Sequence, residues 1–360
     1  MPLDPFFAER LRVHRRYLIG QALGGLRARF TRAAAAPGSA GTQPAETRPA
    51  AAKPAATPSA RRARHRRSAL AWDRTELRTV GTPGPDVRTA EHTVEVPGYP
   101  AVRVRIYYPD VSDAGPVPAC LTFYGGAFRI GGIDYPTTDA ANRRRAAEAG
   151  IAMVAVGYAL APEHRFPTQV EQAHAVLVWL HGHAQELGID ADRLGVAGMS
   201  AGGSIAASLA IVNRDRTGIP LRLQLLEVPV TDLTGRHLDL RATIALGIPS
   251  LIALRELRSI ARTYLPRASD ARDPRASPLR AASHADLPEA FIFTAQYDPL
   301  RGDGEAYGAR LRTAGVAASV VQYRGVTHDT PIYTGALPAA RRWHDDVIAV
   351  LRHLHDGRSA

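Results

Sequence analysis

Gly198-Met199-Ser200-Ala201-Gly202-Gly203 stands between an apolar run, Arg193-Leu194-Gly195-Val196-Ala197, and an Ala-rich stretch over 204–212. The run before it predicts a buried strand, and the stretch after it a helix packed through small residues. A G-x-S-x-G sequence on a sharp strand-to-helix turn lifts a serine hydroxyl to where an imidazole can reach it. Serine is a weak nucleophile until a base takes its proton, so the chemistry requires that exposure. The flanking glycines are expected where helix and neighbouring strand pass too close for a Cβ. The helix N-terminus adds partial positive charge and free N–H groups, which favour a developing oxyanion. Alone, so short a motif also arises by chance, and its meaning depends on partners elsewhere in the chain.

On both sides of it, apolar strands and amphipathic helices alternate. Strands are expected at 119–123, 151–158, 193–197, 221–228, 290–294 and 319–323, and helices near 137–149, 167–187, 200–213, 303–314 and 338–354. Two further strands, 93–96 and 102–108, flank Pro97-Gly98 and read as an antiparallel pair. This alternation predicts an α/β fold with a mostly parallel central sheet covered by helices. Segment 236–265 breaks the rhythm with helical pattern and no strand. It is expected to lie as a cap insertion over the carboxyl edge of the sheet, where ligands bind in such folds.

A serine nucleophile needs a base, the base an orienting carboxylate, and the intermediate an oxyanion hole. In an α/β-hydrolase these follow in the order Ser, acid, His, each on the loop after a strand. Asp298 follows the strand 290–294 and His328 follows 319–323. Either residue alone would be an ordinary turn aspartate or surface histidine; together, in this order, they complete a set with Ser200. The glycine-rich loop Phe123-Tyr124-Gly125-Gly126-Ala127-Phe128 and the N–H of Ala201 are the expected oxyanion donors, because backbone donors are fixed before charge develops.

These residues carry a resemblance. Tyr124 to Phe128 resembles the His-Gly-Gly-Gly loop of the hormone-sensitive-lipase-like carboxylesterases, and Tyr158-Ala159-Leu160-Ala161-Pro162-Glu163 resembles their Tyr-Arg-Leu-Ala-Pro-Glu stretch. The elbow resembles their Gly-Asp-Ser-Ala-Gly-Gly, Tyr297 to Gly304 their acid loop, and Ser277-Pro278-Leu279 also fits. The match runs in unbroken order over about 85–355. It implies an α/β-hydrolase body with a helical cap, Ser200 as nucleophile, His328 as base and Asp298 as its orienter. It further implies Gly126, Ala127 and Ala201 as oxyanion donors, with Gly125 shaping the loop. The reaction implied is hydrolysis of short- to medium-chain carboxylic esters; a non-catalytic ligand-binding protein on the same fold is the alternative. Four residues depart from the family pattern: Tyr124 for histidine, Ala127 for glycine, Met199 for the elbow acid, and Asp329 for the glycine after the histidine. A carboxylate at 329 is expected to raise the pKa of His328.

Composition narrows the rest. Residues 1–67 hold 14 basic residues against three acids, which accounts for the whole net charge of +11; the remainder is neutral. A neutral body with no base-reading motif argues against nucleic acid as a partner. The chain has one lysine, Lys53, in a Pro/Ala stretch, so a Schiff-base lysine or a P-loop is excluded from the body. A small-molecule ester is the expected partner, with no cofactor and no metal. Residues 1–32 are expected to hold a basic amphipathic helix over 5–32, docked as part of a lid or lying weakly on a membrane surface. Residues 33–67 are expected as a flexible Ala/Pro/Arg-rich linker and 68–360 as the hydrolase domain. With no signal-peptide core, no apolar run long enough to span a bilayer and a single cysteine, Cys120, a cytoplasmic location is expected.

Overall fold

The computed structural model describes residues 1–12, 57–110 and 115–356. Two units partition it: Pro2–His65, and Arg66–Ala360 together with Met1. In the first, residues 5–12 are helical; the rest of the expected 5–32 helix, and most of the expected linker, lie outside the described residues.

The second unit is built on eight strands: β1 (Thr89–Val96), β2 (Tyr99–Tyr107), β3 (Val117–Phe123), β4 (Ala152–Gly157), β5 (Ile189–Met199), β6 (Leu221–Glu227), β7 (Glu289–Tyr297) and β8 (Ala318–Thr327). They form one sheet in the order β1-β2-β4-β3-β5-β6-β7-β8. The β1–β2 and β2–β4 pairs are antiparallel and every later pair is parallel. Strands covered on both faces must be apolar throughout, and all seven residues of β3 are buried. Cys120 is fully buried there, with its thiol pushed up to about 12 by desolvation, as an inert core residue.

Helix α1 (Pro58–Thr79) precedes the first strand in the chain; α2 (Pro136–Ala149), α3 (Thr168–Gly182), α4 (Ala201–Arg216), α7 (Arg301–Thr313) and α8 (Pro338–Arg352) accompany the sheet, and α5 (Leu240–Ala245) and α6 (Ser250–Tyr264) form the cap. Both cap helices fall inside the segment where the strand rhythm fails. Helix α4 is buried along Ala201–Asn213, which its Gly, Ala and Ser residues permit by letting the backbone approach the sheet. Helix α1 corrects the expected linker at its end. Residues 58–67 are helical rather than flexible; Ala and Arg, both strong helix formers, outweigh the Pro/Ala bias upstream.

Candidate active site

The turn from β5 into α4 places Ser200 at φ 55°, ψ −115°. A left-handed serine costs about 1–3 kcal/mol and persists only where its surroundings hold it. Its N–H donates to the Glu227 carbonyl at 2.8 Å, and its carbonyl accepts from Ser204 at 3.1 Å and Val230 at 3.3 Å. The neighbouring glycines are steric requirements. A Cβ at Gly198 would lie 2.2 Å from the Gly202 carbonyl oxygen, and one at Gly202 would lie 2.0 Å from that of Phe123.

The loops after β7 and β8 bring the other two residues to this point. His328 Nε2 lies 3.0 Å from Ser200 Oγ, and its Nδ1 lies 2.7 Å from Asp298 Oδ2. The second carboxylate oxygen of Asp298 accepts the Leu300 N–H at 2.9 Å, which fixes the carboxylate plane. Asp298 is buried, whereas His328 keeps 30% of its side-chain surface open. Burial pushes the His328 pKa down, but the opposite charge of Asp298 and then that of Asp329 outweigh it, and the ring is raised to about 9. Asp329 therefore acts on His328 in the direction expected from the sequence. The arrangement can move a proton from a serine hydroxyl to an imidazole oriented by a buried carboxylate.

The loop after β3 passes directly over the turn. A Cβ at Gly125 would sit 3.3 Å from the Met199 carbonyl oxygen and 3.5 Å from Ser200 Cβ. Gly126 (φ 129°), Ala127 (φ 54°) and Phe128 (φ 60°) all have positive φ. The turn is closed by the N–H groups of Arg129 and Ile130, which donate to the Gly126 carbonyl at 2.9 and 3.0 Å. A Cβ at Gly126 would fall 2.1 Å from the Ile130 oxygen, so only glycine fits there. Alanine does fit at 127, at a left-handed angle that costs about 1–2 kcal/mol. Among the described residues the N–H groups of Gly126, Ala127 and Ala201 have no partner within the chain. Tyr124, in place of the family's histidine, is buried and stacks on Tyr158 with ring centroids 4.1 Å apart.

A cavity of about 550 Å³ opens onto Ser200 and His328. Leu257 and Ile260 of α6 cover it from the cap, and Leu233 and Leu238 line it. Phe128 stacks face to face on Tyr264 at the end of α6, 3.8 Å between centroids, and Arg129 bonds Glu256 and Ser259 of the same helix, so the loop over Ser200 is joined to the cap. Two groups of lining residues carry no signature in the sequence. Trp72, Asp73 and Leu77 come from α1, hidden behind a linker-like composition. Arg144 and Arg145 come from a run of three arginines that reads as a solvated helix face. Among the described residues no group of three or more His, Cys, Asp and Glu is placed to hold a metal ion. Nor, among them, is any helix long and apolar enough to cross a membrane.

Residues 120–332 match the alpha/beta hydrolase fold family. The chain belongs to the α/β-hydrolase fold family. Within it the similarity is to carboxylesterases. The chain is 37% identical to the esterase LipI of Mycobacterium tuberculosis over 276 residues, covering 76% of this chain and 84% of that one. It is 34% identical to the carboxylesterase NlhH of the same species over 289 residues, covering 78% and 89%. Among solved structures, the thermophilic carboxylesterase EstE1 from a metagenomic library superposes with a TM-score of 0.75 at 33% identity, covering 84% of this chain and all of that one. This member of the family is a carboxylic ester hydrolase related to the hormone-sensitive-lipase-like enzymes.

Proposed function

We propose that this hydrolase is a serine carboxylesterase that cleaves short- to medium-chain esters of small molecules through an acyl-enzyme on Ser200. The observation that carries the reading is the Ser200–His328–Asp298 relay, with spacings of 3.0 and 2.7 Å, at the wall of an apolar cavity. In the neutral ring, Nδ1–H donates to Asp298 and Nε2 is free to accept the Ser200 proton. Oγ then bonds to the ester carbonyl carbon, and the carbonyl π pair moves onto oxygen. The N–H groups of Gly126, Ala127 and Ala201 stabilise that oxyanion, with Gly125 and Tyr124 shaping the loop that holds them. Collapse breaks the bond to the alkoxy oxygen, which leaves as alcohol with the proton from Nε2. Water, deprotonated by the same nitrogen, releases the acid and restores Ser200. Leu233, Leu257 and Ile260 suit an unbranched acyl chain of modest length.

The test is hydrolysis of 4-nitrophenyl esters with two to twelve acyl carbons, with Ser200→Ala as the control. Turnover that peaks at short or medium chains and falls by roughly a thousandfold or more in the variant supports the reading. Equal turnover in the variant, or none with any ester, overturns it and favours a ligand-binding role on the same fold.

A further inference from the structure

The cavity does not end at Ser200. It continues between the sheet and α2, where Thr122, Asn142, Arg144, Arg145 and Glu227 line it. Hydrolysis of a neutral ester gives none of these five a task.

Their bonding is uneven. Glu227 is 1% exposed and fully engaged: one carboxylate oxygen accepts from Arg145 Nη2 at 2.7 Å and the other from Trp343 Nε1 at 2.9 Å. Arg144 is only 9% exposed, yet among the described residues it makes no hydrogen bond and no ion pair. Glu148, one turn further along α2, is held instead by His344 at 2.8 Å. Asp73, also on the cavity wall, spends its carboxylate on Thr137. Asn142 is 3% exposed and likewise has no partner among the described residues.

A guanidinium remains charged at neutral pH even here, where burial and the neighbouring Arg145 lower Arg144 to about 10. Leaving such a charge buried without a hydrogen-bonded partner is costly, and the charge of Glu148 offsets only part of the lowering. The Arg144 guanidinium, which makes no ion pair among the described residues, lines space continuous with the reacting serine. A fork of N–H donors suits a planar monoanion.

We infer that this inner chamber is a carboxylate subsite, with Arg144 as the residue that recognises the anion, and that the preferred substrates are esters carrying a second, ionised carboxyl group. The inference rests on the esterase reading above. A half-ester of a dicarboxylic acid would place its carbonyl at Ser200 and its carboxylate against Arg144, with Asn142 as a further donor. Arg145 stays bound to Glu227 and positions the chamber wall.

The experiment pairs mono-4-nitrophenyl esters of unbranched dicarboxylic acids of six to nine carbons with 4-nitrophenyl esters of monocarboxylic acids of the same carbon number. The ratio of kcat/KM, anionic over neutral, is read for wild type, Arg144→Met and Arg144→Lys. The expected ratio in wild type is at least about tenfold at one chain length. It falls toward or below unity in Arg144→Met and is partly kept in Arg144→Lys. Melting temperature supplies an independent readout: Arg144→Met removes an unpaired buried charge, so it melts no lower than wild type, and free adipate raises the melting point of wild type only. Turnover of both ester series with the same ratio in wild type and Arg144→Met overturns the subsite and leaves the esterase standing. If neither series is turned over, the esterase reading fails, and the adipate shift alone decides the subsite. A chamber filled only by water gives no shift and overturns it.

Discussion

The Tyr124 hydroxyl donates to the Tyr158 carbonyl at 2.8 Å, and the Tyr158 hydroxyl donates to the Tyr124 carbonyl at 2.8 Å. Each residue stands just past the end of a neighbouring strand, β3 or β4. The reciprocal pair, with its stacked rings, ties the loop over Ser200 to the sheet at its first residue. Both hydroxyls are buried, and desolvation keeps both phenols protonated. Removing one leaves a buried carbonyl without its donor, at a cost of about 1–3 kcal/mol. Tyr124→Phe should therefore lower stability by that amount in chemical denaturation. Because the loop would lose its anchor beside Gly125, kcat should fall about tenfold with KM nearly unchanged. A variant with unaltered kcat would show that the pair only stabilises the fold.

The pH dependence follows from His328. The ring must be neutral to accept the Ser200 proton, and Asp298 and Asp329 together hold it up at about 9. In wild type, kcat/KM should rise with pH along a limb well above the ordinary histidine range. Asp329→Gly removes the smaller of the two charges without touching the 2.7 Å contact to Asp298. Its limb should move toward neutral, making the variant about two- to threefold faster near pH 7. A limb that stays in place would assign the raised pKa to Asp298 alone.

Stability should move the other way over much of that range. Asp303 is buried, and desolvation, with the charges of Asp232 and Asp298, raises its pKa to about 7. One of its oxygens accepts the N–H groups of Thr231 and Asp232 at 2.8 and 2.9 Å; the other has no partner. A group with a raised folded pKa binds its proton more tightly in the folded state. Its contribution is full below the unfolded value of 3.8, and is lost as pH rises through about 7. His328 adds the same slope between 6.5 and about 9. These two groups should make the melting temperature fall between pH 5 and pH 9, most clearly above pH 6.5, because His174, His284 and His344, held low by burial, oppose the fall below it. Asp303→Asn should flatten the lower half of that fall, and an unchanged slope would remove Asp303 from the account.

How far the sequence foretold this site depended on whether each role was local. All eight strands and the five helices expected along the body are present, because each carries its apolar pattern within its own residues. Ser200, Asp298 and His328 were legible for the same reason: each sits just past a strand whose end the pattern marks. Glu227 and Arg144 were not. Glu227 ends an apolar strand where only the approach of α2 and α8 gives it partners. Arg144 sits in Arg143-Arg144-Arg145, where only packing distinguishes a buried arginine from solvated ones. Helix α1 was obscured by the composition that precedes it, although residues 60–79 are rich in strong helix formers.

The last prediction concerns position 127, where the sequence substitutes alanine for a glycine of the related loop. Its N–H is unaffected by the methyl group, so the proposed oxyanion donor is kept; only the left-handed φ of 54° bears a cost. Ala127→Gly relieves about 1–2 kcal/mol of backbone strain but restores about 0.4–1 kcal/mol of unfolded-state entropy. The strain is the larger effect, so the variant should be more stable by up to about 1 kcal/mol, with kcat/KM within a few-fold of wild type. Gly126→Ala provides the contrast. There the new Cβ would fall 2.1 Å from the Ile130 oxygen, a backbone atom that cannot move aside without opening the turn. That variant should lose activity by a hundredfold or more, on the order expected when an oxyanion donor is displaced. Equal activity in the two variants would show that the loop can adopt another backbone path, and that Gly126 and Ala127 do not jointly hold the oxyanion.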